Sequence, residues 1–436
     1  MANRHSHAHS CMQHCDEGGL AVRIAVIGGG TAGFMAAAHI SAYHPEASLI
    51  HIFDPRIPII GVGEGTNPDF PPWLMGVTGL TYEELARDCS ATKKYGIQYE
   101  NWGRRTPKFI HNFYPIGETA AFHLSASRLV DVLARFVRGT RVTERVVSLA
   151  STGEDATITL ENGETIEVDL AIDARGFPRK EEGEIMAIGL IPTNAAFIRR
   201  GPVSSFQSAM RNIARPHGWV FVVPLTVDTA YGYVYNNELS SQDVVSADLD
   251  VVLEAEGVEP NSGPPRTLTF PSFVRQRVFD GALLRIGNTA SFIEPLEATA
   301  IGLISQGLKA IDLIVKSARQ TGTGRAKRTG QLHQMLVGMI NHTLFVNVWE
   351  RAIFVGWHYS MGSAFSSPFW EHAVETYVRG MKSFHDERTR KRFEWFLDQG
   401  RRATPNRYET FSSEIFGGFP AASFAEIGRG IGYFAD

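Results

Sequence analysis

Three glycines at the spacing G-x-G-x-x-G, Gly28, Gly30 and Gly33, lie inside RIAVIGGGTAGFMAAAHI, between a short apolar run and an alanine-rich one. In that setting the first glycine permits a tight turn and the second lets a pyrophosphate approach the backbone. The third lets strand and helix pack closely, and the helix start at Thr31 and Ala32 faces the phosphates. Asp54 follows Gly33 by 21 residues at the end of a second apolar run, Ser48 to Phe53, where an acid can accept ribose hydroxyls. A second glycine-rich stretch, GVGEGTNP from Gly61 to Pro68, includes Gly63 and Glu64. Its small residues let backbone lie against a flat ligand, and Glu64 either bonds ribityl hydroxyls or caps a nearby turn.

The elements that must position these residues follow from periodicity. Val26 and Ile27 supply a buried strand and Phe34 to Ile40 a helix. Thr81 with Glu84 reads as a capping box, and Gly96 onward alternates as a half-buried strand. Leu124 to Val137 has the apolar face of an amphipathic helix. From Arg141 the pattern turns to strands, with Asn162-Gly163 as a hairpin turn and a buried strand leaving at Asp173 and Gly176. A strand, a hairpin and a return strand after a dinucleotide motif are typical of FAD proteins. Trp219 to Leu225, Ala230 to Asn236 and Thr267 to Phe270 predict a sheet over the cofactor domain, interrupted by the polar stretch Glu238 to Asp248. From Leu283 the chain returns to the cofactor through Gly287, a rigid EPLEATA loop that includes Pro295, and a helix with apolar residues at Ile301, Ile304, Leu308, Ile311 and Val315. Free N–H groups at that helix start, near Thr299 and Ala300, favour an anion or a flavin carbonyl oxygen. His333 to Asp436 reads as mostly helical.

The chain has 436 residues, 44% hydrophobic and 20% charged, with a formal net charge of -4. That balance argues against a nucleic-acid surface. No apolar run approaches the ~18 residues that span a bilayer, and no export signal is seen, so a cytoplasmic protein without a membrane partner is expected. Cys11, Cys15 and Cys89 alone exclude a disulfide scaffold. Residues 1–19 carry His5, His7, His9, Cys11, His14 and Cys15, which could bind a soft metal by type, but without a partner cluster a disordered tail is expected and no metal site is assigned. The remainder, 20–436, is expected to be one compact α/β unit. It has an FAD-binding Rossmann-like, hydroxylase-type module (about 20–190 plus 280–320) and an interleaved β-sheet and helical substrate module (about 191–279 plus 321–436).

Taken together, GGGTAG, GVGEGTNP, ATKKYGIQYENW, DARGFPR, GWVFVVPL, GNTASFIEPLEATAIG, WHYSMGSAFSSPFW and ETFSSEIFGG resemble, in order, the flavin-dependent tryptophan halogenases. The resemblance covers most of the chain from about Leu20. It implies an enzyme that takes reduced FAD from a separate NAD(P)H flavin reductase and uses O2 with chloride or bromide to form hypohalous acid, which travels through a tunnel to an aromatic ring. By motif, the family's reactive lysine falls on Lys94, its assisting glutamate on Glu297, and its halide-binding backbone on Thr299 and Ala300. Substrate contacts are expected at Tyr114, Phe221, Trp349, Tyr359, Phe369 and Trp370, and a homodimer is one possible assembly. An ammonium at Lys94 would polarise the O–X bond, or a neutral amine would be halogenated first. Glu297 would orient the lysine, stabilise its charge, or take the ring proton.

The departures from the family pattern are specific. Phe221 replaces the second tryptophan of W-x-W-x-I-P, which removes an indole N–H, and Ala300 replaces a glycine beside the halide, adding a methyl. The phenylalanine and leucine flanking the reactive lysine are Lys93 and Tyr95. The histidine and phenylalanine that sandwich tryptophan fall near Tyr114 and Ile116. The chain is also shorter than typical members, so free tryptophan is not assumed, and an indole, phenol or pyrrole is expected. The alternative is an FAD-dependent monooxygenase or oxidase on the same fold without halide use.

Overall fold

The computed structural model describes residues 21–59, 64–178, 185–206, 208–259, 265–320, 330–403 and 414–434. Its first layer is a five-stranded parallel sheet in the order Leu283–Arg285, Leu170–Asp173, Arg23–Ile27, Ser48–Ile52, Thr140–Val142. Both faces are covered at its centre, which is why Arg23–Ile27 and Leu170–Asp173 read as nearly continuous apolar runs rather than alternating ones. One face carries helices Thr31–Tyr43, Ala126–Ala134 and Thr299–Gln320. The other carries the antiparallel ribbon Val146–Ser151, Ala156–Leu160, Thr165–Val168, whose turn contains Asn162 and Gly163. This is the hydroxylase-type α/β arrangement that the sequence predicts.

The glycine turn is fixed by contact. Gly28 has φ +137°, and a Cβ there would lie 2.3 Å from the Ala174 carbonyl oxygen. At Gly33 it would lie 2.1 Å from the carbonyl oxygen of Gly28, so strand and helix approach more closely than any side chain allows.

The second layer is a seven-stranded sheet in the order Arg266–Thr269, Ala195–Gly201, Thr229–Tyr235, Gly218–Pro224, Met210–Arg215, Gly96–Glu100, Lys108–Asn112. Helix Gln242–Ala255 packs on one face through Val245, Leu249, Val252 and Leu253. It starts inside the stretch Glu238–Asp248 that reads as a polar interruption. Ser241 caps it, accepting from the Val244 N–H, and its few apolar residues sit at helical spacing among serines and aspartates. The other face meets the C-terminal helices Gln331–His358, Pro368–Ser383, Glu387–Arg402 and Ala421–Gly430 across an aromatic core.

Two expectations are corrected in detail. The amphipathic helix is Ala126–Ala134, because Leu124 belongs to strand Ala121–Leu124, which pairs with both Glu64–Gly65 and Thr92–Lys94. The stretch Leu296–Arg319 is long and apolar enough by composition to cross a bilayer, whereas the sequence reading finds no such run. Of its 18-residue apolar window 61% is buried within the fold, as in a core helix. Residues 1–19, with their histidines and cysteines, lie outside the described residues, as does Gly63. Cys89 is a buried free thiol whose pKa burial pushes up to about 12.

Candidate active site

The Gly30 end of helix Thr31–Tyr43 opens on a cavity of about 440 Å³ that runs to the start of helix Thr299–Gln320. Gly28, Gly30, Thr31, Ala32, Asp54, Glu64, Pro295, Thr299, Ala300 and Ile301 all line it, so most residues expected to bind cofactor or halide meet at one space. Gly33 serves strand–helix packing, and a Cβ at Gly287 would lie 2.7 Å from that of Ala32. The donor set fits a dinucleotide. A Cβ at Gly30 would meet nothing within 4 Å, which leaves backbone open beside uncapped helix N–H groups. Asp54 is oriented by Arg56, at 2.8 Å, and Arg56 also reaches Glu161 at 2.9 Å. Burial raises the Glu64 pKa to about 7, so this carboxyl is able to donate as well as accept.

Lys94 is placed by strand alternation. In Thr92–Lys94 the pattern is buried, exposed, buried; Lys93 turns outward over the Tyr82 ring and Lys94 turns in with no exposed surface. Its Nζ donates to the Thr66 carbonyl oxygen at 3.2 Å and lies 5.3 Å from the centre of the Phe113 ring. A Cβ added at Gly65 would lie 3.4 Å from this Nζ and 3.5 Å from the Ala298 Cβ. Gly65 and Ala298 both line the cavity while Lys94 does not, so the amine stands just behind the cavity wall. Burial lowers its pKa to about 8, with the charge of Glu297 acting in the opposite direction.

Glu297 and Ala298 are consecutive left-handed non-glycine residues, at φ 62° and 52°. This costly backbone sends Glu297 into the core on one side while Thr299 and Ala300 start a helix at the cavity on the other. The carboxylate is gripped by three groups distant in sequence. Tyr99 donates its hydroxyl proton to Oε1, His111 Nδ1 lies 2.9 Å from Oε2, and His358 Nε2 lies 3.1 Å from Oε1. Burial opposes its charge, but the two imidazoles outweigh burial and hold its pKa well below the carboxylate range. At His111 burial acts downward, yet Glu297 raises the imidazole pKa overall.

Of the expected substrate residues, Phe221 lines this cavity. Tyr359, Phe369 and Trp370 lie in the aromatic core, where Tyr359 joins the Trp219 indole at 2.8 Å to Glu294 at 2.6 Å, and Trp370 donates to the Arg215 carbonyl at 2.8 Å. Trp349 packs on Phe384, and Tyr114 donates to Glu426. Ile116 is 59% exposed, whereas His111 and Phe113 stand against Glu297 and Lys94. Sequence reasoning missed Tyr99, His111, Phe113 and His358. The available signal was the alternation Phe109, His111, Phe113, which puts a histidine on the inner face of an otherwise aromatic strand.

The sequence matches the tryptophan halogenase family over residues 23–120 and 117–416. The chain belongs to that family of flavin-dependent halogenases. Tryptophan 7-halogenase RebH of Lentzea aerocolonigenes is 24% identical over 80% of this chain and 78% of its own. The crystal structure of a tryptophan halogenase from Shewanella frigidimarina NCIMB 400 superposes with a TM-score of 0.77 at 20% identity, covering 94% of this chain and 89% of the other. MibH, a lathipeptide tryptophan 5-halogenase, gives 0.76 at 20% identity over 97% and 88%. The halogenase family implies FAD, and the cavity's donors suit it.

Proposed function

We propose that this halogenase transfers halogen to an electron-rich aromatic ring of indole, phenol or pyrrole type held beside Lys94. The reading assigns the five-stranded-sheet layer to the flavin and the seven-stranded sheet with the C-terminal helices to the substrate. The observation that carries it is a fully buried lysine beside the wall of the cofactor cavity, sensing the charge of a fully buried glutamate. When bound, reduced FAD, supplied by a separate reductase, provides hypohalous acid from O2 and chloride or bromide. Gly28, Gly30, Asp54 and Glu64 hold the cofactor, and the N–H groups of Thr299 and Ala300 hold the halide.

With a pKa of about 8, Lys94 is mostly the ammonium form at neutral pH. One N–H is fixed on Thr66. Another donates to the oxygen of the hypohalous acid, so that the O–X bond breaks as the ring carbon takes the halogen, and the oxygen leaves as water with the displaced ring proton. Glu297 is already bonded to Tyr99, His111 and His358, which makes it a poor acceptor for a ring proton. Its work is electrostatic: a fixed negative charge that keeps the buried ammonium protonated.

The test is purified protein with flavin reductase, NADH, O2 and either halide against an aromatic panel. Halogenated product is expected, and Lys94→Ala should remove it while flavin reoxidation continues. The Ala300 methyl at the halide position favours a competing monooxygenase reading. Oxygenated products formed equally without halide would establish that reading instead.

A further inference from the structure

Between the cofactor cavity and the buried amine stands a sulfur. Met210 begins strand Met210–Arg215, is 3% exposed and lines the cavity. A Cβ added at Gly65 would lie 3.3 Å from the Met210 Sδ, 3.4 Å from the Lys94 Nζ and 3.5 Å from the Ala298 Cβ. Sulfur and amine therefore share the gap that the missing side chain of Gly65 leaves. The chain on either side holds them together: Met210 pairs with Ile97, and the Tyr95 N–H, next to Lys94, donates to the Ser208 carbonyl at 2.8 Å.

A thioether is polarizable and is oxidised to a sulfoxide, whereas Ile198, Val223 and Ile293, which line the same cavity, offer no lone pair. Hypohalous acid on its way from the flavin to Lys94 passes this sulfur. An aromatic ring waiting at Lys94 consumes the oxidant; without one, the thioether is the nucleophile at hand.

We propose that Met210 is the residue this protein oxidises when no aromatic acceptor is bound. This rests on the reading that hypohalous acid is formed at the flavin. The sulfur lone pair takes the halogen, the O–X bond breaks and hydroxide leaves. Water then adds to the sulfur, halide departs, and two protons are lost, one of them to the hydroxide. The sulfur is oxidised by two electrons and the halogen is reduced to halide, so the net products are sulfoxide, halide and one proton. The new S=O is a strong acceptor beside the Lys94 ammonium and occupies the gap at Gly65. Self-oxidation thus draws the lysine N–H away from the oxidant and stops halogenation, and the chemistry is one that a methionine sulfoxide reductase reverses.

The molecule carries its own controls. Met35 is equally enclosed, at 0% exposure, but sits in helix Thr31–Tyr43 and does not line the cavity. Met335 is 63% exposed on helix Gln331–His358. The purified full chain is run with flavin reductase, NADH, FAD, O2, bromide and catalase, without an aromatic, and its peptides are mapped by mass. The gain of one oxygen at Met210 is expected to exceed that at Met35 and Met335 by about tenfold or more, and to vanish without bromide. Met335 oxidised ahead of Met210 means that the oxidant acts from outside, and overturns the proposal. Oxidation of Met210 that persists without bromide overturns it as well, because hypohalous acid is then not the oxidant. Met210→Leu, close in volume, should hold its halogenation yield through this preincubation, while the unaltered protein loses about tenfold. Equal decline of the two overturns the link to inactivation, and the mass map of the unaltered protein decides the site even if the leucine variant fails to fold. The two readings fail separately. Bromide-dependent oxidation of Met210 with no aromatic halogenated sinks the aromatic assignment and leaves the sulfur site standing; halogenation of an aromatic, with Met210 untouched after turnover in its absence, does the reverse.

Discussion

Two carboxylates in this molecule are each held by a pair of imidazoles: Glu297 by His111 and His358, and Asp312 by His39 and His44. The second nitrogen of each ring separates them. At Asp312, His39 Nδ1 accepts from the Trp73 indole at 3.2 Å and His44 Nδ1 accepts from Arg319 at 3.1 Å. Both rings are therefore neutral, each donating its one N–H to Asp312, and neither has a lone pair free for a metal ion although the three ligand atoms lie within 4.8 Å of one another. At Glu297, His358 Nδ1 faces the Phe354 carbonyl at 2.8 Å, which only accepts, so its Nε2 needs a second proton to bond the carboxylate. The Glu297–His358 pair thus holds a proton and a full ion pair in a site closed to water, beside an amine whose protonation depends on it. The same side chains make a structural tie at one place and an electrostatic device at the other.

The sharpest way to break this contrast is to neutralise each carboxylate in turn. Glu297→Gln should lower the yield of halogenated product per flavin oxidised by about a hundred- to a thousandfold. Asp312→Asn should leave that yield within about twofold and instead lower Tm by on the order of 2 °C. Comparable activity losses in both variants would mean the two knots are not different in kind. Next in size, His358→Gln keeps a donor for the carboxylate but not the positive charge, and should cost about tenfold in the same yield, reflecting one charge-assisted hydrogen bond.

The two regions also differ in what the amino-acid order reveals. The cofactor side is legible because its constraints are local. Gly33 is required by a backbone contact inside a single strand–turn–helix, Gly28 by its positive φ in the same turn, and Asp54 follows just after the next strand. Lys93 and Lys94 look alike in the chain, and only strand alternation against Ala121–Leu124 decides which one is buried. The grip on Glu297 is not legible locally. Tyr99, His111 and His358 lie 198, 186 and 61 residues away and are brought in by three different elements. Aromatic residues such as Tyr359 and Trp370, whose types suit a substrate pocket, equally suit the core in which they are found. Residue type alone does not separate those uses.

A smaller effect sharpens the electrostatic half of the comparison. Lys94 has a pKa of about 8, so the yield of halogenated product per flavin oxidised should fall as pH rises through that value and the ammonium is lost. Because the charge of Glu297 raises the Lys94 pKa, the residual activity of Glu297→Gln should lose its alkaline limb at lower pH than the unaltered protein. A limb that stays in place would detach the two side chains from each other. Activity that instead increases through pH 8 would identify the neutral amine as the working form.

The least effect is expected at Asp312, in stability. Burial opposes its charge, but hydrogen bonds from His39 and His44 outweigh burial and depress its pKa below the ordinary 3.8. A carboxyl whose folded pKa is depressed contributes stability above its unfolded value, and that contribution is lost as pH falls through the folded one. The Tm difference between the unaltered protein and Asp312→Asn should therefore be flat from pH 8 to about 5 and shrink only below about pH 4. The second nitrogen of each imidazole is already occupied, by the Trp73 indole and by Arg319. A difference that already narrows above about pH 5 would detach the pH dependence from the Asp312 carboxyl, and the contrast with Glu297 would then be one of degree.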